Sequence, residues 1–272
     1  MHKVEQQATI NRHFDSAAQY WRDVYRQLDV GGQVYRDRQR AVLDMVETLK
    51  LARGTRILEV GCGAGATSVA LAVKGYRVEA VDSVEKMVRA TQKLARERGV
   101  DDLVHSQIAD IHNLGYADGE FTVALAVGVM PWMPALQAPL SELARVLAPE
   151  GRLIVTSDNS MRLVRLLDPL ARVSQLAGNA LRAAGLRSNG PVVRMYTPGQ
   201  FDAALAEAGF EKKMGRTVGF GPLTFAKRKV LPNFCGLQLH YSLQKHADSG
   251  MPLVRSRGSH YVVLARKSES PF

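Results

Sequence analysis

The sequence predicts an α/β protein built on a doubly wound, mostly parallel sheet, and three observations predict it. Short apolar runs alternate with amphipathic helical segments between residues 56 and 156. The first run opens into a glycine-rich turn, Gly61-Cys62-Gly63-Ala64-Gly65, as a buried parallel strand does where it hands over to a helix. Acidic residues mark the first three runs: Glu59 within the first, Asp82 ending the second and Asp110 following the third.

The elements follow in order. The first fifty residues read as helical. Val34, Ala41, Val42, Met45, Val46 and Leu49 keep an apolar stripe at helical spacing, with Arg38, Arg40, Asp44 and Glu47 outside it. Strands are predicted at 56–60, 77–81, 103–109, 121–127 and 151–156, with helices at 65–74, 83–98 and 136–147 between them. Gly75 and Gly99 stop the first two of those helices. Thr197-Pro198 caps a helix over 198–208. Two last strands are expected at 213–220 and 259–265, separated by a segment with a helix near 237–247, too long for a hairpin connection. The predicted organisation is an N-terminal helical lid over 1–50 and one α/β domain over 51–272, with cap insertions at about 161–193 and 221–258.

Composition bounds the function. The 272 residues are 46% hydrophobic and 23% charged, an ordinary soluble composition large enough for a sizeable core. Two cysteines, Cys62 and Cys235, lie far apart, which argues against a disulfide framework and for a reducing compartment. No apolar stretch follows Met1, so no secretory signal is expected and the predicted location is cytoplasmic. No His, Cys, Asp or Glu cluster has metal-ligand spacing, and no metal is predicted. Charge is uneven: residues 1–158 hold 19 Lys and Arg against 20 Asp and Glu, whereas 159–272 hold 17 against 6. A basic second half is either solvated surface or a face for an anionic partner. In Met161–Val173 arginines and aliphatics alternate at helical spacings, a pattern that suits a substrate cap and peripheral contact with an anionic membrane. Nucleic acid is disfavoured, because the basic residues lack interleaved aromatics.

The glycine turn lets the backbone approach a ligand closely, and Asp82, 23 residues after Glu59, suits both hydroxyls of a ribose. Gly61-Cys62-Gly63-Ala64-Gly65-Ala66 also fits a dinucleotide fingerprint. Glu59 would repel a pyrophosphate, and a dinucleotide site does not require Asp110. A nicotinamide-dependent oxidoreductase and a cofactor-binding regulatory module nevertheless stand as alternatives on fold alone.

With these motifs in place, residues 57–156 resemble the class I S-adenosylmethionine-dependent methyltransferases, small-molecule type. The resemblance implies a Rossmann-like seven-stranded sheet with an antiparallel last strand, and S-adenosylmethionine as cofactor. It implies that Glu59, Gly61, Cys62, Gly63 and Gly65 surround the methionine part and that Asp82 holds the ribose. Ser83 and Met87 would flank the adenine, Asp110 would accept from its amino group, and Ile111 would pack on its face. Val127 and Gly128 would lie beneath the sulfonium. The sequence departs from the family pattern at Thr122, where an aspartate is usual. The Asn-Pro-Pro-Tyr signature of amino-group transfer is replaced by Gly128-Val129-Met130-Pro131-Trp132. O-methylation of a small acidic or amphiphilic acceptor is therefore favoured. Ligands of open α/β sheets bind outside the carboxyl ends of the strands, which nominates Met130, Trp132, Asp158, Asn159 and Phe220 for the acceptor and His260 as general base. The aromatic-rich N-terminus, with Tyr20, Trp21, Tyr25 and Tyr35, is expected to close over the cofactor.

Overall fold

A computed structural model describes residues 2–168, 192–225 and 228–268. Helices α1 (His2–Ser16), α2 (Ala18–Asp23) and α3 (Val30–Thr48) precede the first strand. Asp29 caps α3 by accepting from the Gly32 N–H at 2.9 Å. The alternating core then runs β1 (Arg56–Val60), α4 (Ala66–Val73), β2 (Arg77–Asp82), α5 (Glu85–Glu97), β3 (Val104–Ile108), β4 (Phe121–Ala126), α6 (Gln137–Val146) and β5 (Leu147–Asp158). After it come α7 (Leu163–Leu167), α8 (Pro198–Glu207), β6 (Phe210–Val218), the short hairpin strands β7 (Thr224–Phe225) and β8 (Arg228–Lys229), α9 (Asn233–Asp248) and β9 (His260–Lys267).

The main sheet has seven strands in the order β3-β2-β1-β4-β5-β9-β6. β9 runs antiparallel to β5 and β6, while β1 to β5 pair in parallel. The order reverses between β1 and β4, so a crevice opens there at the carboxyl edge. One face buries Leu58, Phe121, Leu140, Leu143 and Phe201, and the other buries Ile57, Leu71, Val78, Leu125 and Met45. Each such fully buried side chain contributes about 1.5–3 kcal/mol.

Several boundaries differ from the expected ones. β5 begins at Leu147 rather than 151, because the chain pairs with β4 on both sides of an irregularity and turns left-handed at Glu150 (φ 64°). β6 starts at Phe210, directly after a left-handed Gly209, and ends at Val218, so Phe220 lies beyond the strand. α9 starts at Asn233, four residues before the expected 237.

The two expected insertions can be described only in part. Of 161–193, residues 169–191 lie outside the described residues. In 221–258, α9 packs on α3 and β6. His240, buried on α9, places Nε2 2.6 Å from Asp37 Oδ2 and its Nδ1 against the Phe220 backbone. No helix of the described residues is long and apolar enough to cross a membrane.

Candidate active site

The crevice at the switch point is a cleft of about 1150 Å³, counting its open mouth. Its floor starts with the glycine turn. Gly61 adopts φ 70°, and a Cβ there would sit 2.2 Å from Val129 Cγ2, so any other residue is strained and must displace Val129. Gly63 (φ 55°) donates its N–H to Asp82 Oδ2 at 2.9 Å. Glu59 is buried at the end of β1 and accepts from Ser68 Oγ. Burial pushes the Glu59 carboxyl up to about 8; Asp82 adds to the shift, and Ser68 and Arg38 oppose it. The Cys62 thiol is likewise pushed up by burial and lies 3.5 Å from Thr91 Oγ1.

The strand ends supply the acids along one wall. Asp82 closes β2; its Oδ1 accepts from the Val84 N–H at 2.9 Å, and burial raises its pKa against those backbone hydrogen bonds. Ser83 receives α1: its hydroxyl lies 2.9 Å from Asn11 Oδ1. Met87 and Ile111 are buried beside it, and Asp110 Oδ1 accepts from the His112 N–H. Val127 and Gly128 follow β4, and the Gly128 N–H donates to Thr156 Oγ1 at 2.7 Å.

Across the cleft, Asp158 on β5 and His260 on β9 are direct cross-strand partners, with Oδ1 3.2 Å from Nδ1. Burial lowers the His260 pKa, against the pull of Asp158. Burial works to raise Asp158, but the His260 hydrogen bond and charge, with Arg162 and Arg38, hold it below the usual carboxylate range. The pair at neutral pH is therefore a carboxylate beside a neutral imidazole.

The N-terminal helices form the roof through a continuous series of ring contacts. Trp132 meets Phe14, Phe14 meets Trp21, Trp21 meets Tyr35, and Tyr35 meets His260, with centroid separations of 4.8–5.8 Å.

The cleft thus gathers Glu59, Gly61, Cys62, Gly63, Asp82, Ser83, Met87, Asp110, Ile111, Val127, Gly128, Trp132, Asp158 and His260. Four expected residues stand outside its lining. Gly65 caps α4 at φ 83°, where a Cβ would press on Thr91 at 2.9 Å, so its role is packing. Met130 is fully buried in the core. Asn159 spends its amide on the Ser256 and Gly258 carbonyls, holding the chain that enters β9. Phe220 is buried with its backbone against His240. No described residue of 221–258 lines the cleft either; the roof comes from the N-terminal helices.

Arg38 is a further correction. Read as outside the apolar stripe of α3, it is buried, stacks on the Tyr35 ring at 4.9 Å and donates to Tyr25 Oη at 3.2 Å. The available sequence signal was Tyr35, three residues before Arg38 and so one helical turn away on the same face.

The seven-stranded sheet with antiparallel β9, together with this glycine-and-acid cleft, defines a class I methyltransferase fold. Comparison with known proteins agrees. Residues 58–155 match the family described as a methyltransferase domain. The chain is 29% identical to the 27-O-demethylrifamycin SV methyltransferase of Amycolatopsis mediterranei over 73% of this chain and 67% of that protein. It is 33% identical to methyltransferase GfsG of Streptomyces halstedii, over 43% of this chain but only 42% of GfsG. The magnesium protoporphyrin IX methyltransferase of Synechocystis, solved with bound S-adenosylhomocysteine, superimposes with a TM-score of 0.63 at 19% identity, over 96% of this chain and 100% of that one; this likeness concerns the fold. The family match is thus confined to residues 58–155, and the chain spans less than half the length of two of the curated relatives it resembles, GfsG and the nocamycin O-methyltransferase.

Proposed function

We propose that this protein transfers the methyl group of S-adenosylmethionine to an oxygen of a small acidic or amphiphilic acceptor. The observation that carries the oxygen preference is the Asp158–His260 pair, its imidazole buried, set in the same cleft as the glycine turn and Asp82. A hydroxyl acceptor must lose its proton as it is methylated, and a neutral imidazole oriented by a carboxylate is suited to take it. A relative at 29% identity is named for an O-demethylated acceptor, which agrees with this reading.

Features of this cleft fit the cofactor. Gly61 and Gly63 keep side chains off this stretch of the cleft floor, and both Asp82 oxygens, each taken once by a backbone N–H, retain acceptor capacity for ribose hydroxyls. When bound, the cofactor supplies a methyl already activated on a sulfonium. In this reading Asp110 and Ile111 receive the adenine, Ser83 and Met87 flank it, and Glu59 attracts the positive charge. His260 accepts the acceptor's proton at Nε2 while Nδ1–H is held by Asp158. Trp132 and the aromatic roof exclude water, and alignment supplies most of the rate.

The same reading includes peripheral contact with an anionic membrane in a cytoplasmic setting. Leu28, Val230 and Phe234 are exposed where α3, β8 and α9 meet, beside Arg228 and Lys229. The experiment that tests the central claim is calorimetric titration with S-adenosylmethionine, followed by an acceptor screen read as S-adenosylhomocysteine release. Absence of binding at millimolar cofactor, or tighter binding of NADH, overturns it. Binding without turnover on any acceptor returns the regulatory-module alternative.

A further inference from the structure

Arg38 is the one Lys or Arg side chain lining the cleft among the described residues. Its relative exposure is 6%, and a cation that deep in a protein ordinarily has a close counter-charge. Here the guanidinium makes one hydrogen bond, to Tyr25 Oη, and its Nε is buried with no partner among the described residues. Tyr35 supports its plane from one side. Nη1 comes within 2.7 Å of the position that a Cβ on Gly128 would occupy, so the group stands at the end of β4, facing the cleft. Burial disfavours its charge, but Tyr25, Tyr35 and Asp158 outweigh that effect and the group stays cationic.

A guanidinium with most of its five donors uncommitted is shaped to hold a carboxylate by two parallel hydrogen bonds. Glu59 lines the same cleft, and the Arg38 charge acts on its carboxyl. A buried acid that can give up its proton on binding and a buried cation in one cleft match the two charges of an amino-acid end group. The ammonium goes to Glu59 and the carboxylate to Arg38.

We propose that Arg38 receives the carboxylate of the cofactor's methionine part, with Tyr25 and Tyr35 holding the guanidinium in place. The proposal rests on the cofactor reading above. It also makes α3 part of the cofactor site, so the N-terminal helices are tied to the ligand and not only packed over it.

Two ligands separate the carboxylate from the rest of the cofactor. S-adenosylhomocysteine carries the amino-acid end group; 5′-methylthioadenosine keeps the adenosine and thioether but lacks it. Both are titrated calorimetrically into the full chain as wild type and Arg38→Met. The expected result is about 10- to 100-fold weaker S-adenosylhomocysteine binding in the variant, the usual worth of a charged hydrogen-bonded partner. Methylthioadenosine should change by less than about twofold. Unchanged S-adenosylhomocysteine affinity overturns the proposal. So does equal weakening of both ligands, since that is lost packing and not a lost carboxylate contact. Should Arg38→Met fail to fold by circular dichroism, Arg38→Gln, which keeps donors without the charge, is read by the same rule. A wild type that binds neither ligand defeats the cofactor reading itself, a different failure from a wild type that binds both with an indifferent Arg38.

Discussion

Asp158 and His260 sit directly opposite each other on antiparallel strands, with 3.2 Å between Oδ1 and Nδ1. The sheet register therefore sets the geometry of the pair, and no loop has to find it. The imidazole pKa lies below its ordinary 6.5, chiefly through burial. A base must be neutral to work, so turnover should be flat above about pH 7 and fall with acid only once the pH drops below the ordinary histidine value. His260→Ala should lower kcat about 10²- to 10⁴-fold while S-adenosylhomocysteine affinity stays within about threefold. Asp158→Asn should lower kcat and shift the acid limb of the profile. Full activity in His260→Ala would mean that the acceptor needs no base here.

Glu59 allows a test of stability against function. Its folded pKa of about 8 lies above the unfolded carboxylate value, so the folded state holds the proton more tightly. Below the unfolded pKa both states are protonated and the full stability is present. As the pH rises through the window toward 8, stability is lost. Glu59→Gln removes the cost and should stabilise the ligand-free protein at pH 8 by roughly 2–4 kcal/mol, with no gain near pH 4. The same change should weaken S-adenosylmethionine binding, since a buried carboxylate opposite positive charge is gone. Urea denaturation at the two pH values checks the first claim and calorimetry the second. Equal stabilisation at both pH values would assign the effect to packing.

The glycine turn gives a steric prediction. Gly61→Ala must fit a methyl 2.2 Å from Val129 Cγ2 at a left-handed φ, whereas Gly63→Ala, also left-handed, has no atom within 4 Å of its new Cβ. Gly61→Ala should therefore destabilise the fold by about 1–3 kcal/mol, and Gly63→Ala by less. Asp82→Ala should leave the fold intact and weaken cofactor binding by at least about tenfold. Thermal melts paired with S-adenosylhomocysteine titration separate these outcomes; Asp82→Ala binding like wild type would remove it from the site.

The glycine-and-acid wall of the cleft was legible because strand ends fix it. Once β1, β2, β3 and β4 are located, Glu59, Asp82, Asp110 and Gly128 must emerge at one edge of the sheet. Asp158 and His260 followed from an antiparallel last strand. The roof was less legible, because it depends on how α1 to α3 fold back, which no local pattern encodes. Arg38 shows why: α3 buries Gln33, Asp37 and Arg38 as well as its apolar stripe, so a polar residue on this helix is not thereby a surface residue. Phe220 failed as a candidate for a smaller reason, a strand that ends two residues early at Val218.

The last prediction concerns the apolar corner outside the cleft. Leu28 is 82% exposed and Phe234 72%, and the Asn233 amide, one residue before Phe234, donates to the Leu28 carbonyl at 3.2 Å. Val230, also exposed, follows Arg228 and Lys229 in the same corner. Apolar side chains rimmed by cations match an anionic bilayer surface, where each Lys or Arg is worth about 1 kcal/mol. Flotation with vesicles of mixed neutral and anionic phospholipid should show binding that vanishes without the anionic lipid and weakens with salt. Arg228→Glu with Lys229→Glu should weaken it at least about tenfold. Leu28→Ser with Phe234→Ser should weaken it even at low salt, because that part of the attraction is not electrostatic. Arg162→Glu with Arg165→Glu tests the other basic stretch in the same assay. Charge reversals at both places that leave flotation unchanged would show that the basic half is solvated surface and that the acceptor reaches the cleft from solution.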